Sequence, residues 1–90
     1  MFTDAPDASR FEIHVGDELA GFMTYRRHES RIVFVHTEIF DEWEGHGLGG
    51  RLARAVLDEA RAAGLRVVPQ CPFLAAFIRD HGEYADLVDA

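Results

Sequence analysis

The 90-residue chain carries nine Arg and no Lys against 16 Asp and Glu, a net charge of −7, with 48% hydrophobic and 28% charged residues. A chain of this length builds one small domain with a modest core, and its acidic surface repels phosphate backbones, which speaks against nucleic acid as a partner. The sequence holds no run approaching the roughly 18 apolar residues of a membrane span; its one cysteine, Cys71, forms no internal disulfide or Cys-rich zinc cage, and its acidic start lacks an export signal, so a cytoplasmic, metal-free, non-membrane protein is expected.

Residues 1–9 lack periodicity, include Pro6 and read as a flexible leader to a single domain over 10–90. Arg10 to Val15 alternates, with Phe11, Ile13 and Val15 on one face, and Gly16-Asp17 is a two-residue hairpin signal. Glu18 to Arg27 reads as the returning strand, apolar on both faces. After the charged connector RRHESR, Arg31 to Phe40 is the strongest strand, because Ile32, Val33, Phe34 and Val35 form an unbroken β-prone run. Leu48, Leu52, Val56 and Ala60 recur at helical spacing and Gly64 stands where a C′ glycine belongs, which predicts a helix over about 47–63. Leu65 to Gln70 reads as a short strand, so the strand–helix–strand unit requires a parallel pair with a right-handed crossover. Cys71-Pro72 opens a second helix to about Asp80, with proline at the favoured first position. The expected fold is therefore an α/β domain with a four-stranded mixed sheet: three antiparallel strands, a crossover helix, a fourth strand parallel to the third, and a short C-terminal helix.

The stretch EGHGLGG, Glu44 to Gly50, contains G-x-G-x-x-G. A dinucleotide site needs a strand ending almost at the first glycine and an acidic residue about 20 positions on. Here Asp41, Glu42 and Glu44 intervene and the second parallel strand runs into Gln70-Cys71-Pro72, so NAD is disfavoured. A Walker A loop requires the lysine this chain lacks. A glycine-rich turn feeding a helix N-terminus still suits another phosphate-bearing ligand, through free amides and the helix dipole.

The segments HTEIFDEWEGHGLGGRL and AGLRVVPQCPF, in this order and in so short a chain, resemble the minimal single-domain members of the GNAT-type N-acetyltransferases from Phe11 to about His81. The family's acetyl-CoA motif, (Gln/Arg)-x-x-Gly-x-(Gly/Ala), falls on Glu44 to Gly49. The resemblance implies an acyltransferase that moves an acetyl group from acetyl-CoA to an amine. It implies that the pantetheine arm pairs with main chain over His36 to Phe40 (Thr37, Glu38, Ile39 and Phe40), and that the pyrophosphate rests on Gly45, His46, Gly47, Leu48, Gly49 and Gly50 with Arg51 close by. Glu44 departs from the family's Gln or Arg and, as an acid, is not counted as a phosphate contact.

Two side chains are candidates for the chemistry. His36, sharing a face with Glu38, reads either as the base that takes a proton from the amine or as a structural histidine. Cys71, at a helix start that favours negative charge, reads as a nucleophile for the acetyl group, a role the resemblance also implies, or as a small packing residue. Phe73, Phe77 and Ile78 read as core, and Trp43 as partly packed on the sheet. The alternative from another class is a non-catalytic CoA- or acyl-CoA-binding module. The acceptor amine and the oligomeric state are not legible in the sequence.

Overall fold

The computed structural model describes residues 1–89. One mixed sheet runs in chain order through β1 (Phe2–Ala5), β2 (Arg10–Val15), β3 (Glu18–Arg27), β4 (Arg31–Ile39) and β5 (Arg66–Pro69). The first four strands pair antiparallel and β5 lies parallel to β4, joined by the crossover helix α1 (Leu48–Ala62). Helix α2 (Pro72–Asp80) leaves β5, and a 3₁₀ segment, Gly82–Leu87, follows.

The sheet thus has five strands where four were expected, because the supposed leader contains β1. Four residues are too few to show a period, and tertiary contacts fix this strand instead. Phe2 stacks on Phe11 with ring centroids 5.2 Å apart, and the Tyr25 hydroxyl donates to Asp4 Oδ1 at 2.6 Å. Burial, then the Asp4 carboxylate, push the Tyr25 phenol up to about 12 from its ordinary 10.0. A group that ionises near 10.0 when unfolded but near 12 when folded contributes stability that is intact below the first value and lost as pH climbs through the second. Denaturant melts on both sides of this window should show an alkaline loss of stability that is smaller in Tyr25→Phe; an identical loss in both proteins would place its source elsewhere.

Six residues of α1, Leu48, Leu52, Ala53, Val56, Leu57 and Ala60, are buried along one stripe. The helix ends as its sequence dictates. Gly64 adopts φ +70°, its N–H bonds to Arg61 O at 3.1 Å, and Leu65 N–H bonds to Ala60 O at 2.9 Å, the paired closure of a Schellman motif. This stripe, with Leu74 and Ile78 of α2, covers the sheet face carrying Phe11, Met23, Phe34 and Val67. Both helices therefore lie on one side, and no helix among the described residues is long and apolar enough to cross a membrane.

The C-terminal segment is fastened to this layer. Arg61 holds both carboxylate oxygens of Asp86 at 3.0 Å, a contact that keeps that carboxyl below its ordinary range. Tyr84 OH donates to Asp58 at 2.8 Å, and Asp89 N–H reaches Val67 O at 2.8 Å, along the outer edge of β5.

Candidate active site

The site begins where β4 and β5 separate. Their ladder runs from Arg31–Arg66 to Phe34–Pro69 and stops, since Pro69 has no amide to donate. Immediately beyond, the register of β4 against β3 shifts: Tyr25 faces Phe34, Thr24 faces His36, and Val35 has no opposite residue. This is a β-bulge, which bends its strand. β4 continues to Ile39 beside β3 while β5 turns away into α2, so the β5-side edge of β4 is left open over 35–39. At the apex of the divergence Cys71 N–H donates to Phe34 O at 3.0 Å.

The bulge also decides which side chains meet. Cross-strand partners share a face. Thr37 lies opposite Met23, a core residue, and so points to the helix side, where its Oγ1 comes within 3.1 Å of Cys71 Sγ. Cys71 is 3% exposed and is the N-cap residue of α2, its thiol turned toward Thr37. His36 and Glu38 lie opposite Thr24 and Phe22, on the face without helices. Both are exposed, and His36 Nε2 stands 3.5 Å from Glu38 Oε1. The two candidate catalytic side chains thus flank the opening from opposite faces of the sheet and do not touch each other.

The glycine loop closes the far end of the opening. From Ile39 the chain makes a 3₁₀ turn, Asp41–Trp43, in which Trp43 Nε1 donates to Glu18 at 3.0 Å and the indole meets the His46 ring edge-on, centroids 5.9 Å apart. Gly45 and Gly47 then adopt φ +83° and +74°, left-handed values that side-chain-bearing residues rarely take. A Cβ at either position would meet nothing within 4 Å, so these glycines are required by backbone conformation and leave clear space beside the loop. Gly47 is the N-cap of α1, whose first turn contains Leu48, Gly49, Gly50 and Arg51. The residues present fit a phosphate group: exposed glycines at the positive end of a 15-residue helix, with an exposed arginine in its first turn. The Glu44 amide donates to Asp41 O at 3.2 Å.

A strand–glycine loop–helix unit at a sheet that opens on the same side is a recurrent arrangement, and the comparisons identify it here. The family model of the GCN5-related N-acetyltransferases matches residues 10–87. The chain belongs to this family. A solution NMR structure of a GCN5-like candidate N-acetyltransferase from Staphylococcus aureus is similar over 100% of this chain and 88% of its own, with 25% sequence identity and a TM-score of 0.74. No curated protein matches.

Against this GCN5-related fold, the sequence reading of the aromatic residues needs one correction. Ile78 is buried and Phe77 packs at the edge of the core, but Phe73, expected in the core by its helical spacing, is 42% exposed. Helical spacing identifies a shared stripe but not how far toward the helix end the covering layer extends, and Phe73 sits in the first turn of α2, beyond that cover. The Thr37 hydroxyl was expected only as part of a main-chain edge. Its approach to Cys71 spans 34 residues of sequence and depends on the bulge, for which the sequence offers no local signal.

Proposed function

We propose that this protein is an acetyltransferase that uses acetyl-CoA as donor and an amine as acceptor. The observation that carries the reading is the opening between β4 and β5, bounded by a free strand edge, a left-handed glycine loop and a cysteine at its apex. In this reading the amides of the loop from Gly45 to Gly50 hold the pyrophosphate, with the Arg51 guanidinium beside it, and the edge over Thr37 to Ile39 pairs with the pantetheine amides. Phe40, which the resemblance adds to that edge, is committed elsewhere, its N–H donating to Ala20 O at 2.9 Å and its C=O accepting from Trp43 N–H at 2.8 Å.

The thioester then lies at the apex, where the two faces divide the work. Cys71, oriented by Thr37, attacks the thioester carbonyl; a new C–S bond forms, the bond to CoA breaks, and CoA leaves as its thiol after taking the cysteine's proton. An amine reaching the opening from the helix-free face attacks the acetyl-cysteine, releasing the Cys71 thiol and the amide. A lysine-type amine has a reference pKa near 10.4 and arrives protonated at neutral pH, so a base must accept its proton. His36 is the group on that face suited to do so, with Glu38 to orient or charge-balance the imidazole. Placement of donor and acceptor supplies most of the rate, and the two side chains add to it.

Burial of Cys71 favours a second reading, a module that binds acyl-CoA without turning it over. Calorimetric titration with acetyl-CoA and with NADH, followed by an acceptor screen, separates the possibilities. Saturable binding of acetyl-CoA alone, with acetylated product from at least one amine, is the expected result. Binding without product from any amine favours the module, and no binding of acetyl-CoA overturns both.

A further inference from the structure

Phe73 is the exposed large side chain that the fold leaves unexplained. Among the described residues the large hydrophobic side chains with substantial exposure are Met1, Val15 and Phe73; Met1 begins the chain and Val15 lies beside a hairpin turn, whereas Phe73 belongs to the first turn of a helix packed on the core. Its surroundings are specific. A Cβ placed on Gly49 would lie 3.0 Å from the Phe73 ring, closer than all but the tightest contacts in folded proteins, so the ring lies directly against the first turn of α1 because residue 49 has no side chain. Two residues before Phe73 stands Cys71, whose thiol contacts Thr37 on β4. The exposed ring is therefore seated between the glycine loop at one end of the opening and the cysteine at the other.

We infer that the Phe73 ring is the apolar wall against which the arm of an acyl-CoA lies, between a phosphate end held by the loop and a thioester end held at Cys71. The inference rests on the acetyl-CoA reading proposed above. An aromatic face that costs free energy to leave in water, beside the β4 edge that would pair with the amides of the arm, suits the methylene and gem-dimethyl groups between those amides. Gly49 acquires a second role: besides belonging to the loop, it lets the wall approach.

The test compares two probes on the intact protein: acetyl-CoA, which carries the arm, and adenosine 3′,5′-bisphosphate, which retains adenine, the 3′-phosphate and the inner of the two pyrophosphate phosphates but lacks the arm. Phe73→Ala is expected to weaken acetyl-CoA binding about tenfold, as for uncovering roughly one ring face, and to leave the bisphosphate affinity unchanged. Phe73→Leu should restore much of the loss. Equal acetyl-CoA affinity in wild type and Phe73→Ala overturns the inference while leaving the acetyl-CoA reading intact. An equal loss for both probes also overturns it, since the ring would then serve the nucleotide or the loop. Failure of the wild-type protein to bind acetyl-CoA overturns the inference together with the reading on which it rests. Thermal melts of both variants monitor folding, and Phe73→Leu, which keeps an apolar side chain, provides the comparison if Phe73→Ala is destabilised.

Discussion

Replacing Gly47 by valine should weaken acetyl-CoA binding about thirtyfold while leaving the protein folded. Gly47 holds φ +74° at the N-cap of α1, and left-handed backbone costs an L-residue roughly 1–2 kcal/mol, with a β-branched residue at the upper end. Valine escapes by moving to negative φ, which reorients the peptide units on either side of residue 47. The bound state must then restore the strained conformation, and about 2 kcal/mol of such cost is about thirtyfold in Kd. Because a Cβ at this position meets nothing within 4 Å, steric conflict contributes little and the fold itself should survive. Calorimetry and a thermal melt on the same sample check the two halves. A large fall in melting temperature with unchanged affinity would show that the glycine serves the helix start rather than a ligand.

The elements that were legible beforehand are those whose signal is local. Strands β2 and β3 match the expected spans, and α1 lies within one residue of its expected ends, because alternation, the Gly16-Asp17 turn and the Gly64 cap act within a few residues. The parallel crossover follows from element order. What lay outside local reach were features created by pairing. β1 is too short to carry a period, and the bulge at Val35 is a register event between two strands. That bulge reverses a side-chain assignment: strict alternation from Phe34 would put His36 and Glu38 on its buried face, yet they emerge on the open one while Thr37 turns inward to Cys71. The position of Cys71 at a helix start was evident from Cys-Pro, whereas its neighbour was not.

That neighbour makes Cys71 the decisive substitution. Cys71→Ala is expected to bind acetyl-CoA as the wild type does and to lose at least about a hundredfold in acetyl transfer, the lower range for removal of a group acting directly on the reacting atoms. The change is mild structurally. Its thiol does not cap α2, the amide that bonds Phe34 O is retained, and Thr37, only partly buried, can turn its hydroxyl to water. Cys71 is 3% exposed, and in the proposed route a thioester laid along β4 approaches its sulfur from the β4–β5 opening. A complementary readout needs no acceptor: wild-type protein mixed with acetyl-CoA alone should carry an acetyl group on Cys71 by peptide mass spectrometry, and His36→Ala should acquire it too, since in the proposed route the histidine acts after the cysteine and from the other face. Wild-type turnover by Cys71→Ala, with no acetyl adduct on the native protein, would remove the covalent step. The amine would then attack the thioester directly from the open face, where His36 stands, and Cys71 would serve to join β4 to α2.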